Sequence, residues 1–301
     1  MALFTENQEP SLAKIPECLR RRHLLALLVA ILSLTSLEPT HGKGFDTHPV
    51  ITPQDADEII AKYRVPAAAK QVALWRAWSR ATYRPVRPEF REAAINLFPP
   101  AWRSRHNTDP AVARELRSLL RPVFSLYEVD YELYLINTPK PSLFLDSDAI
   151  LVLTTGLIYR ARSDDELLGL VAHEVAHARF GQRTAAAKAL IDGLTATGRS
   201  QSQGARQALR ELSVIELECD AVATRTLVAL GLEPREFVKG IQRVQVDYPE
   251  ETKGGDENGV DWHPPIALRL RVVTELAGPG GPRNRLAKSA RLTSLQNLFK
   301  E

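Results

Sequence analysis

His173-Glu174-Val175-Ala176-His177 constrains this chain more than any other stretch. A helix repeats every 3.6 residues, so the two histidines stand one turn apart on one face. Two imidazoles at that spacing can bind one zinc ion, and Glu174 beside the first can act as a general base on a water. The flanking residues predict the helix itself. Ser163 is a good N-cap with Glu166 three residues on, a capping box. Asp164 and Asp165 suit the positive end of the helix dipole. Leu167, Leu168, Val171 and Val175 mark the buried stripe, and Gly181 is the expected stop.

A second helix, expected from Ala205 to about Leu230, carries Glu216 and Asp220 four residues apart on one face. Glu216 can supply a third zinc ligand. Asp220 can accept a hydrogen bond from the outer nitrogen of a ligand histidine, foremost His173, fixing its tautomer. The plain alternative is that both are helix-surface acids, as most Glu and Asp are. Their neighbours Val214, Ile215, Leu217, Ala221 and Val222 favour a buried helix, where acids need partners. Glu218 is the rival ligand, but it points about 200° away from Glu216.

The remaining chain of 301 residues divides into four segments. Residues 1–42 read as a leader or anchor. Arg20, Arg21 and Arg22 precede an apolar run from Leu24 to Leu37, which is short of the roughly 20 residues a membrane span needs. A positive region before such a run predicts an export signal, cleaved or kept as a membrane anchor. The protein is therefore expected outside the cytoplasm, in the periplasm or cell envelope, with residues 24–37 as its route to a membrane. Residues 43–126 read as helical: Asp55 to Tyr63, Pro66 to Arg80, Glu89 to Leu97, and Ala111 to Leu120, the last broken by Pro122. Val72, Trp75 and Trp78 form a stripe at helical spacing that reads as core packing, and the region as a scaffold without chemistry.

Residues 127–277 change texture. Tyr131 to Ile136 and Ala149 to Leu153 read as strands around a turn at Asn137 to Ser142. A small sheet beside the zinc helix could take an extended peptide by strand addition, or only support the helix. After a helix from Glu233 to about Val246, residues 247–261 are Gly-rich and acidic. This loop ends at Trp262-His263-Pro264-Pro265 and could cover the cleft. Residues 278–301 read as a basic tail whose amphipathic helix has a solvated charged face. The 39 basic and 36 acidic residues are too balanced, and lack the basic stripe, for nucleic-acid binding. Cys18 and Cys219 cannot form a disulfide scaffold.

Three motifs in order resemble the M48 zinc metallopeptidases: Asp164 to His177, Glu216 to Asp220, and His263-Pro264 followed by Arg269. The resemblance covers roughly residues 127–277. It implies an α+β, mainly helical domain of the gluzincin type, with a small β-sheet beside the active-site helix. It implies one zinc ion on His173, His177 and Glu216, with Glu174 as base and Asp220 behind the ligands. It also implies that His263, and with it Arg269, stabilises the oxyanion, or that His263 is a reversible fourth ligand. The expected activity is zinc-dependent endopeptidase cleavage of protein or peptide substrates, exported or misfolded ones in particular. Two alternatives are a chaperone-like binding protein that keeps the zinc site with little proteolysis, and an aminopeptidase. The exported branch of the family is the nearer analogy, because prenyl-protein-processing members have several membrane spans. Leu212-Ser213 stands where the family usually has Ser-Arg, and Phe180 and Arg183 exclude the metzincin extension.

Overall fold

The computed structural model describes residues 51–64, 68–85, 103–146, 150–198, 202–247, 262–278 and 289–299. The expected leader, the helix at 89–97 and the acidic loop up to residue 261 lie outside the described residues. Helices α1 (Pro53–Arg64) and α2 (Ala68–Thr82) open the fold, and α3 (Pro110–Tyr127) follows a 3-10 turn at Arg105–Thr108. Thr52 and Asp55 cap α1: the Thr52 amide and hydroxyl donate to Asp55 Oδ2 at 2.7 and 2.8 Å. The helix α3 runs straight through Pro122 instead of breaking there. A proline in a helix interior costs about 3 kcal/mol. Burial of Leu119, Leu120, Val123, Phe124 and Tyr127 on both sides of it outweighs that cost.

Strands β1 (Glu132–Ile136), β2 (Leu143–Asp146) and β3 (Ile150–Thr154) form one sheet in the order β1-β3-β2. The β1 and β3 strands pair in parallel, and β2 lies antiparallel to β3. Every β3 residue is buried, which matches its continuous apolar run. β2 is an addition to the expected pair of strands; its apolar core of Leu143 to Leu145 is too short to show an alternating pattern. The two sheet edges differ. On β1, Asn107 bonds the Leu135 amide and carbonyl, and Arg103 forms a bridge to Ile136. The β2 strand pairs only with β3 among the described residues.

The centre of the fold is a helical hairpin. After α4 (Thr155–Arg160), α5 runs unbroken over Asp164–Ala196, and α6 covers Gln203–Ala229. Gly181 does not stop α5, which continues through Arg183 to Ala196. A helical glycine costs roughly 1 kcal/mol. A small second core, Ala187 and Ile191 on α5 with Ala208, Leu209 and Leu212 on α6, holds the distal halves together. At its start, α5 is capped by Ser163, whose Oγ accepts from the Glu166 amide at 3.2 Å. The Glu166 carboxylate reaches the Arg162 amide, one residue earlier than a reciprocal capping box would place it.

Helices α7 (Arg235–Asp247) and α8 (Ile266–Ala277) pack on this hairpin. Gly169 lets α7 approach α5 closely, since a Cβ there would stand 2.2 Å from Phe237 Cβ. In the C-terminal segment α9 (Ala290–Leu298) docks one face, burying Leu292, Leu295 and Gln296, and leaves Arg291 exposed. Gln296 Nε2 donates to the carbonyls of Ile158 and Ala161, both at 2.9 Å. The result is a mainly helical α+β fold with a small sheet beside the long hairpin. No helix among the described residues is long and apolar enough to cross a membrane.

Candidate metal centre

The proximal halves of α5 and α6 bring three donors to one point. His173 Nε2 and His177 Nε2 lie 3.2 Å apart. Glu216 Oε2 is 3.3 Å from the first and Glu216 Oε1 is 3.4 Å from the second. Two atoms each bonded to a tetrahedral zinc at about 2.0–2.1 Å stand about 3.3 Å apart. The imidazole–imidazole edge therefore already matches a zinc tetrahedron, and each ring has one oxygen of the Glu216 carboxylate at a similar distance. Their chemistry fits as well: two imidazoles and a carboxylate, with His173 and Glu216 buried.

Behind the donors a buried chain fixes their orientation. His173 Nδ1 lies 2.9 Å from Asp220 Oδ1. That places a proton on Nδ1 and turns Nε2 toward Glu216 and His177. Arg269 of α8, expected near the oxyanion, is engaged by Asp220: its Nε and Nη2 donate to the two Asp220 oxygens at 2.7 and 2.6 Å. Asp220 is fully buried and Arg269 nearly so, which makes this a desolvated bidentate pair. Burial would raise the Asp220 carboxyl, but the Arg269 charge and hydrogen bonds outweigh it and hold it below its usual range.

The remaining charges follow from burial and neighbours. Burial drives His177 down to about 4, leaving the ring neutral with a lone pair to offer. Burial also opposes the charged form of His173, yet its bonds to Asp220 and Glu216 prevail and raise it to about 9. Metal binding at such donors releases protons. Glu174 is pushed up to about 7 by burial, with the Glu216 charge adding to the effect and His173 opposing it. A carboxyl there can both accept and return a proton near neutrality.

Glu218 stands on the other face of α6, as its angular position predicts. It is buried between Lys62 of α1 and Arg183 of α5, and Tyr63 Oη donates to it at 3.4 Å. Its carboxylate braces three helices instead of facing the donors. His263 lines the same cavity as His173, Glu174, His177 and Glu216. A neighbour that motif spacing could not supply positions it. Trp262 packs on the distal core of the hairpin, with Lys188 Nζ 5.0 Å from its ring centre. Ser213 Oγ donates to the Trp262 carbonyl at 2.6 Å, tying the strap to α6.

These groups open into one cavity of about 1090 Å³. Along its floor α5 runs from Leu170 to Lys188, and β2 contributes Leu143, Phe144 and Leu145 to a wall. At one end stand Trp78, Thr82 and Tyr83 from α2 and the residue after it. Val72 and Trp75 of the expected tryptophan stripe are buried, but Trp78 is half-exposed to the cavity.

A search among curated proteins finds no match to the chain. The model of peptidase family M48 matches residues 106–277, which takes in α3, the sheet, the hairpin, α7 and α8. That stretch contains every donor and every partner behind the donors, and it covers more than half of the sequence. On the joint ground of that match and the paired helices carrying His173, His177 and Glu216, the chain belongs to peptidase family M48.

Proposed function

We propose that this protein is a zinc-dependent endopeptidase of the gluzincin type. The observation that carries the reading is the close approach of His173 Nε2, His177 Nε2 and both oxygens of the Glu216 carboxylate, with Glu174 in the same cavity. His173, His177 and Glu216 hold the ion, which when bound polarises the scissile carbonyl and acidifies a water. Glu174 takes the water proton and returns it to the leaving amine. His263 donates to the oxyanion from the far side of the cavity. Arg269 acts through Asp220 as a positioning residue: it keeps Asp220 ionised, and Asp220 keeps His173 in the tautomer that ligates.

The substrate backbone adds to the sheet at β2. Its outer edge is open among the described residues, while that of β1 is occupied by Arg103 and Asn107. Main-chain pairing there gives affinity without reading a sequence. An enzyme of this kind suits extended segments of unfolded protein, such as misfolded proteins of the cell envelope. The positive region and apolar run before residue 42 support export, and an alkaline phosphatase fusion to residues 1–42 tests it: an inactive fusion refutes export.

The catalytic reading is tested on the full chain with unfolded casein, with and without a chelator. Glu174→Gln should retain zinc by metal analysis and lose ~100-fold or more of the cleavage rate, the scale of a lost general base. Cleavage that survives either the chelator or Glu174→Gln refutes the reading.

A further inference from the structure

We propose that the α2 end of the cavity is a binding subsite for a bulky apolar side chain of the substrate. The inference rests on the peptidase reading above and adds what that reading leaves open, the kind of residue selected. The wall is built by Trp78 and Thr82 of α2 together with Tyr83 and Tyr131. These α2 residues lie outside the stretch matched by the family, residues 106–277. Only Tyr131 of this wall belongs to the matched stretch.

Three observations make the wall a site instead of a loose surface. First, its rings are held. Tyr83 meets Tyr131 edge to face with ring centres 5.3 Å apart, and Tyr131 meets Phe124 in the same way at 5.6 Å. The Tyr83 hydroxyl donates to the Asp130 carbonyl, which fixes the ring against the start of β1. Second, α2 divides its aromatic residues. Trp75 is buried and stacks obliquely on Tyr127 at 6.3 Å, so it serves the core. Trp78, about 60° around the helix, keeps a half-exposed face in the cavity. Indole and phenol rings offer large rigid apolar area at little entropic cost.

Third, the register aims a bound strand at this wall. Leu145 of β2 pairs with Leu151 of β3, and Leu151 pairs with Leu133 of β1, two residues after Tyr131. The Leu145 end of β2 is thus the end nearest Tyr131 and Tyr83. β3 separates β2 from β1, so the link is made through the cavity: Leu145, Tyr131, Tyr83 and Trp78 line the same space, and a side chain that a peptide paired along β2 turns into it meets the aromatic residues there. Thr82, exposed at the rim, leaves room for it.

The experiment compares short capped peptides that differ at one position, with Phe, Leu, Ala or Asp there, on the zinc-loaded full chain. The expected result is a preference for Phe and Leu over Ala of about tenfold or more in kcat/KM, the scale of hydrophobic pocket selection. Trp78→Ala should reduce that ratio toward one, and Trp78→Phe should restore most of it. Thr82→Trp, a change at an exposed position, should invert the ratio by filling the subsite. Zinc content of each variant shows that the site is intact. A ratio unaffected by both Trp78→Ala and Thr82→Trp overturns the proposal. If the wild-type chain cleaves none of the peptides, the peptidase reading fails separately, and the subsite is judged by calorimetric binding of the Phe and Ala peptides. Preferential binding of the Phe peptide that Thr82→Trp abolishes upholds the subsite; equal or absent binding overturns it.

Discussion

Replacing Arg269 by methionine should damage the fold and the site by amounts that the geometry separates. In the wild-type protein Asp220 has no solvent contact and gives both oxygens to Arg269, with His173 as its remaining partner. Arg269→Met leaves that carboxylate buried without its counter-charge, which costs about 3–5 kcal/mol. The second change, Asp220→Asn in the same chain, removes the stranded charge, and the double variant should recover most of the loss. Recovery of stability should not bring recovery of the metal. Asparagine can present its amide as easily as its oxygen to His173 Nδ1, so the tautomer is no longer fixed. Loss of such a partner weakens metal binding by roughly 10–100-fold.

Denaturant unfolding in the presence of a chelator reads the stability term, and competition with a chromophoric zinc chelator reads the affinity term. If Arg269 instead contacted the reacting groups, Arg269→Met would lower kcat with stability and zinc affinity near wild type. That result would refute the positioning role. So would a double variant as unstable as the sum of its two single changes, because the pair would then not be coupled.

Other perturbations have equally specific outcomes. Glu218→Gln should keep one zinc per chain while Glu216→Gln loses it, because Glu218 faces Lys62 and Arg183 and not the donors; metal analysis of both decides. Gly169→Ala should destabilise the fold by denaturant unfolding. Forcing a Cβ against Phe237 costs about 1–3 kcal/mol, which exceeds the helix-propensity gain of roughly 1 kcal/mol. Burial opposes ionisation of Asp55, yet the Thr52 hydrogen bonds and Arg210 outweigh it and lower its carboxyl. Its contribution is therefore present above the unfolded value near 4 and disappears as pH falls through the lower folded value. Asp55→Asn should flatten the stability profile below about pH 4, measured by unfolding at a series of pH values; an unchanged slope there refutes the assignment.

The three donors that the structure brings together could be picked out because each depends on spacing within one helix. His173 with His177, and Glu216 with Asp220, are one turn apart, and a turn is the same in any context. What joins the two pairs is not local. Arg269 reaches Asp220 only because α8 docks on α6, and no residue near Arg269 in the sequence marks that partner. Pro122 and Gly181 misled for a related reason: both are local breakers, and both sit in helices stabilised by tertiary burial. The β2 strand escaped notice because its apolar core is three residues long and its identity comes from pairing with β3. Helical spacing made Val72, Trp75 and Trp78 one stripe. It could not show that the core ends at Trp75 and the cavity begins at Trp78.

Chemistry and selection thus arise from different parts of the chain. Residues 106–277, the stretch matched by the family, contain the two donor-bearing helices, the Asp220–Arg269 pair and strand β2, whose outer edge is open among the described residues. In the proposed reaction each of these acts on atoms that every peptide has: a carbonyl, a water proton, a backbone amide. None of them distinguishes one side chain from another. The wall that Trp78, Thr82 and Tyr83 give the cavity draws on α2, which precedes that stretch and packs on α3 and α6. Neither Trp78 nor Thr82 is among the partners described for His173, His177 and Glu216, so changing them should leave the donors in place. A wall attached in this way can alter which peptides are accepted while the metal geometry behind it stays the same.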